Sequence, residues 1–136
     1  MDTYVKLLRA SQSVKARVDG HNCVPDLSES QFGALEALYH VGPLPQKTIG
    51  KKLLISKSNV VGIVDALEAC DFVQRQRDAD DRRVINVTIQ QAGRDYIEAT
   101  MPIFADAVLE EMKVLSAEEQ SELSRLLRKL GRDRDA

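Results

Sequence analysis

The chain has 136 residues, 43% of them hydrophobic and 29% charged, which is typical of one globular domain with a buried core. Its formal net charge of −2 excludes a globally basic protein that coats nucleic acid, but leaves room for a local basic face. No stretch approaches the roughly 20 apolar residues that a membrane-spanning helix needs. The N-terminus lacks the apolar core of a signal peptide, so we expect a cytoplasmic protein.

The first half of the chain predicts two helices. In residues 3–19, apolar side chains recur at helical spacing: Tyr4, Leu7, Leu8, Val14 and Val18. Ser28 and Gln31 then have the spacing of a capping box at the start of a second helix. Its predicted buried stripe comprises Phe32, Leu35, Leu38 and Tyr39. The prolines in residues 42–45 end this helix, because proline cannot continue one.

A helix-turn-helix pattern follows. A short helix over about residues 46–54 is followed, after a turn of about three residues, by a longer helix that has Ser56 as its N-cap and continues to about residue 70. This is the spacing of a DNA-binding helix-turn-helix. The longer helix has an inward stripe at Val60, Ile63, Val64 and Leu67. Its opposite face then carries Ser58, Val61, Gly62 and Asp65, flanked by Lys57 and Asn59. An ordinary surface helix remains the alternative.

Two strand-like runs, residues 72–77 and 84–89, flank the polar segment Asp-Ala-Asp-Asp-Arg-Arg at residues 78–83. This pattern predicts a β-hairpin whose tip presents two adjacent arginines. Guanidinium groups bind phosphate in a bidentate manner and also fit a narrow, electronegative minor groove. Asp81 is placed to hold one arginine in position. The alternative is a solvated charged turn whose ion pairs contribute little.

Helical spacing returns after residue 90. We expect Pro102 to kink this helix rather than end it, because apolar spacing resumes beyond it. Ser116 and Glu119 have the spacing of a second capping box. The last helix carries a leucine stripe at Leu123, Leu126, Leu127 and Leu130.

With this order of elements, the chain resembles the MarR family of bacterial transcriptional regulators. Three motifs carry the resemblance: Ile-Ser-Lys-Ser-Asn-Val at residues 55–60, Asp81-Arg82-Arg83 in the wing, and Gly93-Arg94 at the next helix. The resemblance implies a mainly α fold with a small β-hairpin wing (α+β), in one domain over residues 1–136. About residues 28–90 would form a winged helix-turn-helix lobe, and residues 1–20 and 91–132 would form dimerisation helices.

The resemblance implies a sequence-specific DNA-binding transcriptional regulator. Two subunits would interleave their terminal helices, and each lobe would contact one half of a pseudo-palindromic operator on double-stranded DNA. The recognition helix would enter the major groove and a wing arginine the adjacent minor groove. Many members are repressors relieved by a small aromatic or amphipathic effector, and we expect the same here. No enzymatic activity, cofactor or metal site is expected.

The recognition helix supplies expected DNA contacts, from Lys57, Ser58, Asn59, Val61 and Gly62. Ser58 and Asn59 can hydrogen-bond bases, and Val61 can pack on a thymine methyl. Ser56, with the first backbone amides of the helix, can accept a phosphate. Family members often carry polar residues where this chain has Val61 and Gly62. Specificity is therefore expected to depend on the wing and on DNA shape.

Within the wing, we assign Arg83 to the minor groove, steadied by Asp81, and Arg82 to a phosphate or supporting role; which arginine inserts stays open. Further phosphate contacts, which position the protein without reading sequence, are expected from Gln46, Lys47, Arg75 and Arg77.

The resemblance also implies an effector pocket between the dimerisation helices and the winged lobe. Its expected wall residues are Tyr4, Phe32, Tyr39, His40 and Ile103, with His21 or Arg17 to hold a carboxylate. Core and interface packing is the alternative role for each of these residues.

The two cysteines, Cys23 and Cys70, have neither metal-ligand nor redox spacing. Cys70 lies at the edge of the buried stripe, where a free cysteine packs as a small hydrophobe, and Cys23 is expected to be more exposed. Only His21 lies nearby to stabilise a thiolate at Cys23. A regulator that senses cysteine oxidation stays open, as does a winged-helix module that binds an acidic protein.

Overall fold

The computed structural model describes residues 1–53 and 57–131, which form six helices and a small antiparallel sheet. The elements are α1 (Asp2–Asp19), α2 (Glu29–Val41), β1 (Leu44–Pro45), α3 (Gln46–Leu53), α4 (Lys57–Ala69), β2 (Val73–Arg77), β3 (Ile85–Ile89), α5 (Gln91–Met112) and α6 (Ala117–Gly131). The predicted mainly α fold with a β-hairpin wing is confirmed. In the described residues, no helix is long and apolar enough to cross a membrane.

Both predicted capping boxes are present. Ser28 Oγ accepts from the Gln31 amide at 3.2 Å, and Gln31 Oε1 accepts from the Ser28 amide at 3.0 Å. Ser116 and Glu119 make the same reciprocal pair at 3.1 and 2.9 Å. These bonds satisfy backbone donors that a helix start leaves without a partner, which is why α2 and α6 begin where they do.

The sheet has one strand more than the sequence predicted. β2 and β3 pair as the expected hairpin, from Val73 opposite Ile89 to Arg77 opposite Ile85. On the other side of β3 lies β1, with Leu44 opposite Val87. Proline is tolerated in such an edge strand because a missing N–H there need not break the ladder. The segment expected only to end α2 therefore also ties the start of α3 to the wing.

The chain divides into two compact units: a winged unit, residues 24–103, and a terminal unit, residues 1–23 with 104–136. The core of the winged unit consists of fully buried side chains from α2, α3, α4, β3 and α5: Leu35, Leu38, Ile49, Val64, Leu67, Val87 and Ile97. Of the predicted inward stripe of α4, Ile63 alone is half-buried. The helix-turn-helix and the wing are thus built on one shared core.

The terminal unit has little core of its own. Among its described residues, Ala107 is the only buried hydrophobic side chain. α1 and α6 bury none, and their leucines are partly exposed. α5 runs from Gln91 to Met112 with Pro102 inside it, so the helix continues past the proline as expected. An apolar helix surface of this kind is normally covered by another element or another chain.

Two expectations about the cysteines were wrong. Cys70 is exposed, whereas the sequence placed it at the edge of the buried stripe. α4 ends at Ala69, and the chain then turns through Asp71, which has a positive φ of 60°. Cys70 lies at the start of this turn, with its amide still bonded to the Ala66 carbonyl at 3.3 Å, and its side chain is exposed. Cys23, which was expected to be the more exposed of the two, is half-buried.

Candidate nucleic-acid interface

The outward face of α4 is small and mostly uncharged. Val61 and Gly62 are exposed there, while Val60 and Val64 on the opposite side are buried. Asn59 is also exposed. Ser56 and the side chains of Lys57 and Ser58 lie outside the described residues, so their expected contacts stay predictions.

Gly62 has no packing role in the described part of the winged unit. A Cβ added there would meet no atom within 4 Å. Glycine inside a helix costs about 1 kcal/mol relative to alanine. Because Gly62 is exposed and has no side chain, the backbone of α4 is uncovered at the centre of its outward face.

Asp78 organises the backbone at the tip of the wing. Its Oδ2 accepts from the amides of Asp80 and Asp81, both at 3.0 Å, and its Oδ1 accepts from Asn86 Nδ2 at 2.9 Å. The hydrogen bond from Asn86, followed by those from the two amides, lowers the pKa of Asp78 below its ordinary value. The turn is thus closed by an ionised carboxylate that has three donors.

Asp81 holds the guanidinium of Arg83. Arg83 Nε and Nη2 donate to the two Asp81 carboxylate oxygens at 3.1 and 3.2 Å, and the Arg83 amide donates to Oδ1 at 3.0 Å. This arginine lowers the pKa of Asp81 through its side chain first and its amide second. Arg83 nevertheless stays 91% exposed. The wing therefore presents a positioned guanidinium to the surroundings.

The neighbouring arginines differ from one another. Arg82 is exposed, and its carbonyl accepts from Arg77 Nη1 at 2.7 Å. Arg77 is exposed on β2. Arg75, for which the sequence also predicts a phosphate contact, is only 19% exposed and bonds within the protein. These internal bonds compete with the phosphate contact that the sequence predicts for Arg75.

The start of α3 lies beside this network. Gln46, its first residue, is half-buried and accepts from Arg75 Nε at 2.8 Å, while Lys47 is exposed. Both were expected to contact phosphate, and both expectations stay predictions.

Comparisons with known proteins agree with this arrangement. A model of the MarR family matches residues 27–85, which run from just before α2 into β3. The transcriptional repressor NicR of Pseudomonas putida is 32% identical over 124 residues, covering 91% of this chain and 78% of NicR. The chain belongs to the MarR family. This confirms the resemblance on which the expected fold was based.

Two solved structures are close to this MarR protein in fold and sequence. BpsR of Bordetella bronchiseptica, whose DNA binding is regulated by 6-hydroxynicotinic acid, has a TM-score of 0.85 at 27% identity and covers 96% of this chain and 99% of BpsR. MepR of S. aureus, solved in complex with DNA, has a TM-score of 0.80 at 28% identity, covering 93% and 95%.

In the terminal unit of this MarR protein, two expected effector residues share one carboxylate. Arg17 Nε donates to Glu111 Oε1, and His21 Nε2 lies next to Glu111 Oε2, both at 2.8 Å. His21 first, and then Arg17, lowers the pKa of Glu111. Tyr4 is exposed. Arg17 and His21 can thus hold a carboxylate, and here that carboxylate comes from the chain itself.

In the winged unit, the other expected effector residues have separate environments. Phe32 belongs to the core, and Ile103 is exposed. Tyr39 donates to Glu98 Oε1 at 3.2 Å, which is the main reason that the pKa of Tyr39 is raised. The ring of His40 stacks edge-on against that of Tyr39, with centroids 5.1 Å apart. The pocket that these residues were expected to line stays a prediction.

Three polar residues of the winged unit were not predicted from the sequence to have a role: Asp78, Asn86 and Glu68. Asp78 carried a usable signal, since aspartate commonly accepts from amides two and three positions ahead in a turn. Asn86 and Glu68 carried none, because they face Asp78 and Arg75 only after the hairpin has formed and packed on α4.

Proposed function

We propose that this MarR protein is a sequence-specific DNA-binding transcriptional regulator, acting as a homodimeric repressor that a small-molecule effector releases from DNA. In the proposed complex, the outward face of α4 lies in the major groove and Arg83 enters the neighbouring minor groove. One observation carries this proposal: Arg83 is 91% exposed and yet held by both oxygens of Asp81. A guanidinium held in this way suits a narrow, electronegative groove.

The side chains of α4 and of the wing indicate how much each element contributes to DNA specificity. Val61 can contact a thymine methyl, but neither it nor Gly62 can make the bidentate hydrogen bonds that discriminate bases most strongly. We therefore expect Arg83 and DNA shape to carry much of the specificity. Lys47 on α3 and Arg77 on β2 are both exposed and would contact phosphates. Such contacts orient the protein on the duplex without reading its sequence.

The terminal unit supports the homodimer. Its described residues bury only Ala107, while α6 exposes a leucine stripe: Leu123, Leu126, Leu127 and Leu130. A second copy of the chain would cover such a surface. A symmetric dimer also presents two winged units to two half-sites, as a pseudo-palindromic operator requires.

Two observations support repression and its relief by an effector: the functions of similar proteins, and the cluster of Arg17, His21 and Glu111. NicR is a repressor, and BpsR responds to 6-hydroxynicotinic acid. Arg17 and His21 already bind a carboxylate here, that of Glu111, so a small aromatic acid is a suitable effector class. We further infer a cytoplasmic regulator without enzymatic activity, since its relatives are transcriptional regulators.

Selection from randomised DNA duplexes tests the proposed function. We expect the purified protein to enrich an inverted repeat with half-sites about one helical turn apart. It should bind that duplex at least about a thousandfold more tightly than a scrambled one. Enrichment of no common sequence would overturn the proposal, and specific capture of an acidic protein would then favour the interaction module.

A further inference from the structure

Arg75 joins three elements of the winged unit. It lies on β2, and its Nε donates to Gln46 at the start of α3 at 2.8 Å. Its Nη1 lies 2.7 Å from Asp65 and 3.0 Å from Glu68, both on α4. Its Nη2 donates to the carbonyl of Val61, also on α4, at 3.1 Å. One side chain therefore connects the wing, the recognition helix and the helix before it.

This geometry leaves Arg75 little capacity for a DNA phosphate. A guanidinium has five N–H donors, and the contacts with Gln46, Asp65, Glu68 and Val61 engage four of them. The side chain is only 19% exposed. A phosphate would have to displace partners that are already charged or well aligned.

The same contacts offset part of the negative charge of the recognition helix. Asp65 and Glu68 are carboxylates on α4, and Asp65 is 61% exposed on the side proposed to approach DNA. Uncompensated, they would repel the phosphates on either side of the groove. Arg75 places a positive charge 2.7 Å from Asp65 and 3.0 Å from Glu68. Glu68 in turn accepts from the Arg75 amide at 3.1 Å, which fixes the strand as well as the side chain.

We propose that Arg75 is a positioning residue for DNA recognition. It fixes the wing relative to the recognition helix and screens two carboxylates on that helix, without contacting phosphate itself. The inference rests on the proposed function, because it requires α4 and the wing to contact the same half-site. Base discrimination needs Arg83 and the α4 face to reach their grooves together, so a loosened connection weakens specific binding most.

The Arg75→Lys variant distinguishes a positioning role of Arg75 from direct phosphate contact. Lysine binds phosphate well as a point charge, but it lacks the planar fork that reaches Gln46, Asp65 and Val61 at once. We therefore expect Arg75→Lys to lose discrimination between the selected operator and a scrambled duplex by about tenfold, the loss that one mismatched base pair causes. Its slope of log affinity against log salt should equal that of the wild type, because the charge is retained.

Arg77 provides the matched control on the same strand. Arg77 is exposed and is expected to contact phosphate. Arg77→Lys should bind both duplexes within about twofold of the wild type, whereas Arg77→Met should weaken both equally and reduce the salt slope by about one. Fluorescence anisotropy with both duplexes at several salt concentrations measures all of these quantities.

The inference fails if position 75 behaves like position 77. That result would be an Arg75→Lys protein with wild-type discrimination and an Arg75→Met protein whose salt slope falls by about one. A wild-type protein that does not discriminate between the duplexes would overturn the proposed function and this inference with it. Retained discrimination in Arg75→Lys alone would overturn only the role of Arg75.

A second variant keeps the test decisive if both position 75 variants fail to fold. Asp65→Ala removes one partner of Arg75 and one negative charge. If Arg75 acts by position, discrimination falls although repulsion of DNA is reduced. Tighter binding to both duplexes with unchanged discrimination would overturn the inference.

Discussion

Asp78 and Asp81 have different roles at the wing tip, although they lie three residues apart. Asp78 accepts from the Asp80 and Asp81 amides and from Asn86, so it shapes the backbone. Asp81 accepts from Arg83, so it directs a side chain. The two roles are linked, because the Asp81 amide donates to Asp78 and the Arg83 amide donates to Asp81.

Arg83→Ala should weaken operator binding more than Ser58→Ala does. We expect a loss of about 1–3 kcal/mol for Arg83→Ala, because it removes the positioned guanidinium proposed to enter the minor groove. A gel-shift series on the selected duplex measures both variants. Arg82→Ala, which leaves the Asp81–Arg83 pair in place, is the matched control and decides which arginine inserts. A larger effect from Ser58→Ala would contradict the assignment.

The wing tip should be insensitive to pH in the physiological range. Asp78 and Asp81 both have pKa values lowered from 3.8. A lowered pKa means that the folded tip favours the ionised form, so its stabilisation is complete above the unfolded pKa and is lost as the pH falls through the folded pKa. NMR titration of the Asp80, Asp81 and Arg83 amides should show transitions only below about pH 3.8. A transition above about pH 5 would contradict the carboxylate network.

At the scale of elements, the position of α5 on the winged core depends on one glycine. A Cβ at Gly93 would lie 2.4 Å from the Phe72 carbonyl oxygen and 2.9 Å from Ile89 Cγ1, with Leu35 also near. The first of these atoms is backbone, so it cannot yield by changing rotamer. α5 can therefore pack this closely against α2 and β3 only without a side chain at position 93.

Gly93→Ala and Gly62→Ala should change stability in opposite directions. We expect Gly93→Ala to lower the free energy of unfolding by about 1–3 kcal/mol, since the added methyl group overpacks a filled site. Gly62→Ala, with open space around it, should raise that free energy by about 0.5–1 kcal/mol through helix propensity. Urea denaturation of both variants measures this. A stabilised Gly93→Ala protein would contradict the close packing.

At the scale of the whole molecule, the two units differ in how they are stabilised. The winged unit has its own core, in which Leu35, Leu38 and Ile49 are fully buried. The terminal unit buries only Ala107 among its described residues and exposes the leucines of α6. The winged unit is therefore stabilised by its own buried core. The terminal unit instead exposes an apolar surface that is suited to association with another chain.

Leu127→Glu should convert the proposed dimer to a monomer. Burying a leucine stabilises by about 1.5–3 kcal/mol, and each dimer would contain two copies, so we expect the dissociation constant to rise at least about a hundredfold. Sedimentation velocity measures the change. Ser121→Glu, an exposed position on the opposite face of α6, is the control and should remain a dimer. A wild-type monomer would contradict the dimeric part of the proposed function.

By itself, the sequence determined the features that depend on neighbours a few residues apart. The helices, both capping boxes and the Asp81–Arg83 pair follow from spacings of two to four residues, where local geometry alone brings the groups together. Recognition of the family likewise needed only short motifs in order along the chain.

Only the tertiary structure decided the contacts between segments distant in the chain. β1 contains two residues, one of them proline, and it forms because β3, about forty residues later, lies alongside it. Arg75 bonds to Gln46 across 29 residues and to Val61 across 14, so its partners exist only once β2 has packed on α4. Sequence spacing cannot show such pairs, because a side chain bonds to whatever the fold brings within reach, and here that is the protein's own recognition helix.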